Sequence, residues 1–315
     1  MNWRRVLSVM RKEWWHITRD RISFILLLLS PVLSLVTMAY AFSIDITDVG
    51  IGVMDQDLSR LSRQFLNQLG STDALRLEAL PQNLDEVERL MMRGTVKAVV
   101  IIPHGFAQDL KGYNPSLKFT VSMIPALVGI VLSVPAMAAS LALAREREWG
   151  TLEGLIVTPI GRAELLIGKL IPYVLAGTLS VPLCVATAVY GFDVPFRGNL
   201  WLYLALSVLF LFATMSIALL LSVFTKSQQV AIIGSMIIFL FSGFFMSGLL
   251  IPMAIMGPAL KMEGYMFPTT HFVIISRGIF VKGIGLAELQ GYVVVLAVIG
   301  VMFLGLTALM FKKKL

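Results

Sequence analysis

The sequence predicts an all-α polytopic membrane protein with six transmembrane helices and a small extracytoplasmic α/β domain between the first two. Hydrophobic residues make up 57% of the 315 residues and charged residues only 14%, whereas a soluble domain carries about a quarter charged residues. A bilayer core of about 30 Å requires about 20 apolar residues in one helix. Six segments reach that length: 22–42, 121–144, 165–190, 200–224, 230–252 and 289–311.

The first and third of these segments carry additional signals. Lys169 lies near the start of the third segment, where a lysine can extend its ammonium group to the lipid headgroups, so we expect Lys169 at the membrane surface. The first segment contains Ala39-Tyr40-Ala41, the small-x-small pattern of a signal-peptide cleavage site. Its apolar run exceeds the roughly 7–15 residues of a signal-peptide core and follows a long basic stretch, which favours an uncleaved helix.

The distribution of charge predicts the orientation of the spans. One side of the membrane receives 14 of the 26 basic residues but only 6 of the 19 acidic ones. Because basic flanks stay in the cytoplasm, both termini are predicted to be cytoplasmic and residues 43–120 to lie outside. The net charge of +7 is thereby explained without a nucleic acid partner. The basic side comprises 1–21, 145–164, Lys169, Lys226 and the tail 312–315.

Segment 1–21 has the periodicity of an amphipathic helix. Its apolar residues recur at helical spacing and its basic residues lie opposite. A basic amphipathic helix with tryptophans lies in the headgroup plane, so we expect an interfacial helix; a basic flank that only marks topology is the alternative. The predicted apolar stripe is Trp3, Val6, Leu7, Met10, Trp14 and Ile17, and the opposite face is Arg5, Lys12, His16 and Arg19.

Residues 43–120 are charged and contain short apolar alternations separated by turn residues. Alternating β and α elements predict a small α/β layer with partly parallel strands. Asn83, with Glu86 three residues later, is a helix N-cap signal. The predicted strands are 49–54, 75–79 and 97–102, and the predicted helices are 58–69, 83–92 and one that starts at 105.

The sequence lacks the motifs of a catalytic site. Its three histidines, His16, His104 and His271, lie in different segments, and neither H-E-x-x-H nor G-x-S-x-G occurs. Gly168-Lys169 is followed by leucine, so the phosphate loop G-x-x-x-x-G-K-[ST] is also missing. The single Cys184 excludes a disulfide framework. We therefore expect no enzyme activity and no cofactor on this chain, and an energy source outside it.

Segment 145–159 reads Arg-Glu-Arg-Glu-Trp-Gly-Thr-Leu-Glu-Gly-Leu-Ile-Val-Thr-Pro. Its alternating charges extend the second span beyond the bilayer, and Gly150 permits a break. Thr151 and Thr158-Pro159 are helix-start signals. A short helix held crosswise between two long ones can transmit force to a partner docked beneath it. A solvated loop whose charges mark the membrane edge is the alternative.

This segment resembles the signature of type-2 ATP-binding-cassette (ABC) exporter permeases, most closely the bacterial multidrug-type branch. The resemblance continues with Gly168-Lys169 and Pro172, and it covers essentially the whole chain. Lys12-Glu13 and Arg19-Asp20-Arg21 before the first span are similar to the connecting helix of that family. The stretch from Met246 to Pro252, with the residues up to Gly283, is similar to the family's outer gate region.

The resemblance implies a permease subunit that exports small amphipathic, drug-like compounds across the bacterial inner membrane. Its implied partners are a second permease (a copy or a paralogue), two ATPase subunits that hold ATP and Mg, and a periplasmic adaptor. The implied ATPase-coupling residues are Arg145, Glu146, Arg147, Glu148, Gly150, Thr151, Glu153, Leu155, Thr158 and Pro159. The implied connecting-helix residues are Trp3, Lys12, Glu13 and Trp14.

The region 253–288 is predicted to form re-entrant helices of an outer gate. Pro252, Pro258 and Pro268 interrupt any continuous helix, and non-helical backbone at membrane depth must line a cavity or be buried in protein. Arg277 is expected at headgroup depth or against carbonyls freed by these breaks. A flat amphipathic helix on the outer surface is the alternative. The gate residues are Pro252, Pro268, Phe272, Arg277, Gly278 and Lys282.

The predicted ectodomain departs from that branch because Leu110 is followed within a few residues by Asn114-Pro115 and the second span. Either the domain is naturally short, or part of it is missing from this sequence, and a role in binding an adaptor depends on which holds. Two other functions stay open: export of a lipid or glycan, and a membrane anchor or signalling module that transports nothing.

Overall fold

The computed structural model describes residues 2–42, 49–70, 75–96, 98–105, 119–150, 160–225, 227–250, 253 and 256–311. The chain divides into two compact units. The helical unit comprises Met1–Tyr40 and Phe119–Leu315, and the smaller unit comprises Ala41–Lys118.

Long apolar helices dominate the helical unit. Five of them in the described residues are long and apolar enough to cross a membrane, and a shorter apolar stretch, Leu27–Ala41, lies within the second helix of the chain. The helices before the small unit are α1 (Trp3–Arg19) and α2 (Arg21–Phe42). Those after it are α5 (Phe119–Val131), α6 (Val134–Glu148), α7 (Arg162–Thr178), α8 (Ser180–Ala186), α9 (Leu200–Phe224), α10 (Gln228–Met236), α11 (Pro258–Met266), α12 (Pro268–Arg277) and α13 (Leu286–Met310), with π-helical turns at Thr187–Gly191, Ile237–Met246 and Gly278–Lys282.

The predicted second span is divided into α5 and α6 by a turn at Leu132 and Ser133. Pro135 is the cause, because proline has no amide hydrogen and its ring clashes with the carbonyl four residues earlier. The carbonyl of Ser133 accepts the amide of Ala136 at 3.0 Å and so restarts the helix. The two segments together still form one membrane-length helix, Met123–Glu146.

Helix α9 is the centre of the helical unit and contacts α6, α7, α12 and α13. Its buried aromatic side chains Tyr203 and Phe210 meet Phe272 of α12, whose ring stacks on Phe210 at 4.3 Å between centroids. The Tyr203 hydroxyl lies 3.1 Å from the Ser276 hydroxyl, which donates to the Pro125 carbonyl at 2.6 Å. This aromatic and polar contact joins α5, α9 and α12.

The smaller unit contains a parallel three-stranded sheet in the order β2-β1-β3. Its strands are β1 (Val49–Asp55), β2 (Leu75–Ala79) and β3 (Ala98–Ile102), and its helices are α3 (Arg60–Gly70) and α4 (Leu84–Met92). Ile51, Val53 and Ile102 form the core beneath Phe65 and Leu66 of α3. Asn83 caps α4 by accepting the Glu86 amide at 2.8 Å, whereas the Glu86 carboxylate accepts the amide of Gln82 rather than that of the cap residue.

Candidate functional site

A cluster of four charged side chains lies where α1, α6 and α7 meet. Lys169 of α7 donates to Glu13 of α1 at 2.8 Å and lies 2.9 Å from the same oxygen of Glu146 that accepts Lys12 at 3.1 Å. The Lys169 side chain is 1% exposed, and those of Glu13 and Glu146 are 7% and 11% exposed. We call Lys12, Glu13, Glu146 and Lys169 the charge cluster.

The burial of Lys169 corrects the expectation that its ammonium group extends to the headgroups. Two lysines and two glutamates neutralise one another in the cluster, so the charge can be buried without a net charge. Burying an ion is tolerated when it is paired and hydrogen-bonded. Helix α1 folds over α7 and supplies Glu13, and α6 supplies Glu146 from the start of the segment that was singled out in the sequence.

Gly168 lets α1 approach α7 closely enough to form the charge cluster. A Cβ atom at Gly168 would lie 2.7 Å from the Val9 Cβ and 3.2 Å from the Val6 carbonyl oxygen. Real Cβ atoms do not approach other atoms so closely, and the neighbouring Lys169 is thereby brought to within hydrogen-bonding distance of Glu13. The Gly168-Lys169 pair therefore combines close packing with a buried charge.

The buried face of α1 differs from the apolar stripe that the sequence predicts. Val6, Val9, Glu13 and Ile17 are buried, whereas only Val6 and Ile17 of these belong to the predicted apolar stripe. Of the four remaining members, Trp3, Leu7 and Trp14 are exposed in the chain by itself, at 67%, 64% and 37%, and Met10 is half-buried. A buried glutamate within the packed face breaks the apolar pattern, so periodicity alone could not find it.

Glu164 lies in the first turn of α7 and ties that turn to the beginning of α1. Its carboxylate accepts the amides of Gly161, at 2.9 Å, and of Asn2. Arg5 lies 4.0 Å from the same carboxylate. Asn2 in turn caps α1 by accepting the Arg4 amide at 3.1 Å. The two ends of the α1–α7 contact are therefore fixed by polar contacts at Glu164 and at Lys169.

Two other described residues of the 145–159 segment, Arg145 and Glu148, contact the start of α10. The Arg145 Nε donates to the Gln228 side chain at 3.3 Å, and the Arg145 guanidinium lies 5.6 Å from the centre of the Trp149 ring. Glu148 accepts the Gln228 amide at 2.9 Å, so this carboxylate also holds the beginning of a helix. Gly150 has a φ of +69°, which favours glycine.

The described part of that segment ends at Gly150. Thr151, Glu153, Leu155, Thr158 and Pro159 lie outside the described residues, as does the side chain of Arg147. The crosswise helix that the sequence predicts there stays a prediction.

Helices α11 and α12 form a hairpin in the predicted gate region. Thr270 of α12 donates to the Gly264 carbonyl at 2.7 Å, and the His271 Nε2 lies 2.8 Å from the Tyr265 carbonyl. The last carbonyls of α11 therefore find partners on α12, as backbone groups away from water must. A Cβ atom at Gly264 would lie 2.7 Å from the Met246 carbonyl oxygen, so the hairpin packs directly on the π-helical segment that follows α10.

Arg277 ends α12 and reaches back to the break after α10. Its Nη1 donates to the Gly248 carbonyl at 3.2 Å, and Gly248 has a φ of +82°. Pro252 lies outside the described residues, and the Lys282 side chain is exposed. Gly278 begins the π-helical turn, and a Cβ atom there would lie 2.5 Å from the Ile284 side chain.

Helix α12 is buried on almost all sides rather than along one stripe. Eight of its ten residues are buried: Pro268, Thr269, Thr270, His271, Phe272, Val273, Ile275 and Ser276. A helix that lies flat on a surface would expose its polar side, so this burial favours a helix inserted among the others. Within the described residues, no three His, Cys, Asp or Glu side chains come together as a metal site.

Membrane-length helices, a buried charge cluster at one end and a packed hairpin define a polytopic helical membrane protein. The chain belongs to the ABC-2 family, because the family described as "ABC-2 family transporter protein" matches residues 7–314. It is 28% identical to the "Probable multidrug ABC transporter permease YbhS" of Escherichia coli, over all of this chain and 98% of that protein. It is 22% identical to the "Probable multidrug ABC transporter permease YbhR" of Escherichia coli, over 88% of this chain and 90% of that protein.

We predict that Lys169→Met lowers the free energy of unfolding by about 3–5 kcal/mol, because Glu13 loses its buried cation. Lys12→Met is the matched control: its side chain is 46% exposed, so its loss should be about 0–1 kcal/mol. Denaturant titration in detergent measures both values, and Glu13→Gln should partly rescue Lys169→Met. Equal losses for the two lysines would show that the cluster is not a buried unit.

We also predict that Arg277→Ala lowers the free energy of unfolding by about 1–3 kcal/mol, because the Gly248 carbonyl loses its donor. Lys282→Ala removes an exposed cation from the same region and should change stability by less than about 0.5 kcal/mol. The comparison uses the same detergent titration. If both variants matched the unsubstituted protein, Arg277 would not hold the break after α10.

Proposed function

We propose that this chain is the transmembrane permease subunit of an ATP-driven exporter that moves small amphipathic compounds out of the cytoplasm or the inner leaflet of a bacterial inner membrane. The charge cluster is the observation that carries the proposal. It joins α1 and α7 rigidly to the end of α6, immediately before the segment predicted to couple to an ATPase. The multidrug designation of the related permeases supports the cargo class.

The proposed mechanism is mechanical. Two ATPase subunits, which hold ATP and Mg, would dock beneath residues 145–159, and α1 would act as the connecting helix. A displacement of the coupling segment would pull on Glu146, and the paired Lys169 and Glu13 would pass the movement to α7 and α1 together. A paired, desolvated charge is suited to this role because separating it costs several kcal/mol.

The cargo path would run between this chain and a second permease, and six spans would line it. Helix α2 would be the first span, which adds to the five membrane-length helices. The α11–α12 hairpin would close the path on the outer side, held by the Arg277 contact with Gly248. Phe272, stacked on Phe210, would fix the hairpin to the central helix α9.

The small unit would lie outside the cytoplasmic membrane, where it could meet an adaptor. The alignment with YbhS covers 377 positions against the 315 residues of this chain, so that relative contains residues without a counterpart here. We infer that part of the difference lies in this unit, since Leu110 is followed so soon by the second span.

Cysteine labelling tests the proposed orientation. Two variants each carry one cysteine in a Cys184→Ala background: Gln82→Cys in the small unit and Gln229→Cys at the start of α10. Both positions are exposed. A membrane-impermeant maleimide added to spheroplasts should label position 82 alone, and position 229 only after lysis. Labelling of both from the same side would overturn the topology.

The function is tested by purifying the complex from native membranes and measuring its stoichiometry and ATPase activity. We expect two permeases and two ATPases, with activity stimulated by lipophilic drug-like compounds. Glu153→Lys should retain membrane insertion but lose stimulation, whereas Glu88→Lys, an exposed charge reversal in α4, should retain both. Purification without any ATPase, or normal stimulation in Glu153→Lys, would contradict the proposal.

A further inference from the structure

A cavity of about 710 Å³ lies between α1, α2, α6, α7 and α10. Small-molecule sites commonly fall in the range of about 300–1,000 Å³. The wall on one side is apolar and continues the packing of Ile17 and Leu27 against α7. The apolar wall consists of Leu27, Val134, Pro135, Ala138, Leu141 and Ile232.

A second cavity of about 440 Å³ adjoins the first on the surface of α1 and shares Lys12, His16 and Asp20 with it. Trp15 and Arg19 complete its lining. We call this second cavity the mouth. One end of the combined space is therefore apolar, and the other is polar and aromatic. These two ends match the apolar tail and the polar headgroup of an amphiphilic molecule.

The charge at the mouth favours an anion. Within the charge cluster, Lys12 and Lys169 are balanced by Glu13 and Glu146, and all four line the larger cavity. Arg145 also faces that cavity, and Asp20 is the one carboxylate at the mouth. Arg19 is exposed and makes no ion pair within the described part of the chain. Over the two linings together, four cations face three carboxylates, which gives a net charge of +1, and Arg19 lies with Trp15 in the lining of the mouth.

The surroundings of the mouth fit the membrane interface. Trp15 is 60% exposed and lies on the same helix as the exposed Trp3 and Trp14, and tryptophans concentrate at the headgroup level of bilayers. A polybasic helix at that level attracts anionic lipids. A lipid headgroup at the mouth would therefore be at its natural depth, with the apolar cavity beside its acyl chain.

We propose that the two cavities together bind one anionic membrane phospholipid in each permease. Its phosphodiester would lie against Arg19 and His16 and beneath Trp15, and one acyl chain would lie against Ala138 and Leu141. The lipid would fill the space between α1 and α6 and so brace the connecting helix. The site lies within a single chain, and it rests on the interfacial placement of α1 rather than on export.

The test uses the full-length protein in nanodiscs of phosphatidylcholine that contain phosphatidylglycerol with a photoreactive diazirine on one acyl chain. After irradiation, peptides are mapped by mass spectrometry. We expect cross-links concentrated at residues 134–141. Ala138→Trp, which fills the apolar cavity, should remove most of them. Arg19→Glu requires no change in the core and should lower them about tenfold, since it turns attraction of the phosphate into repulsion.

Arg11→Glu is the matched control, because Arg11 is an exposed arginine of the same helix that lines neither cavity. It should leave the cross-links unchanged. An equal loss with Arg11→Glu would show general attraction of lipid to a basic helix and overturn the site. Cross-links unchanged by Ala138→Trp and Arg19→Glu would place the lipid elsewhere. Competition by soluble glycerol phosphate as strong as that by phosphatidylglycerol would remove the acyl-chain part of the proposal.

Discussion

The pairing of Lys169 with Glu13 and Glu146 is the constraint on which the arrangement of the helical unit depends. Because the Lys169 side chain is 1% exposed, its ammonium group must keep both carboxylates within hydrogen-bonding distance, since leaving it unpaired would cost several kcal/mol. That requirement fixes α1 over α7 and sets the position of the end of α6. Helix α1, the beginning of α7 and the end of α6 are therefore held together by one set of contacts.

The helices at the two ends of the helical unit are held together by different kinds of contact. At the charge cluster, continuous helices meet and charged side chains join them. At the α11–α12 hairpin the helices are short, so their free carbonyls must find partners locally, and Thr270, His271 and Arg277 provide them. The first arrangement suits transmission of force. The second suits a closure, because a few side-chain hydrogen bonds can be broken and remade without unfolding a span.

A lipid bound beside the charge cluster would also affect how α1, α6 and α7 are held together. Lys12 pairs with Glu146 in the cluster and also lines both cavities. A bound headgroup would therefore lie beside the same lysine that contacts the start of the predicted coupling segment. Membranes differ in the headgroup charge of their lipids. A bound lipid shifts the equilibrium between two conformations of a protein only if it binds one of them more tightly than the other. A site built around α1 would provide such a difference if α1 moves during transport.

The sequence by itself determined five of the six predicted spans as membrane-length helices, the strand positions of the small unit and the Asn83 cap, because hydrophobic length, alternation and capping are local properties. It also singled out Gly168-Lys169, although not the partners of Lys169, and it offered backbone carbonyls at a helix break as one of two placements for Arg277, although not Gly248 in particular. Only the tertiary structure decided that Lys169 is buried rather than at the headgroups, and that Glu148 holds the start of α10. Both facts depend on which helices pack together. Gly168, which lets Val9 approach closely, does not belong to any periodic sequence pattern that could predict this packing. Pairing across 156 residues, as between Glu13 and Lys169, is a property of the folded chain alone.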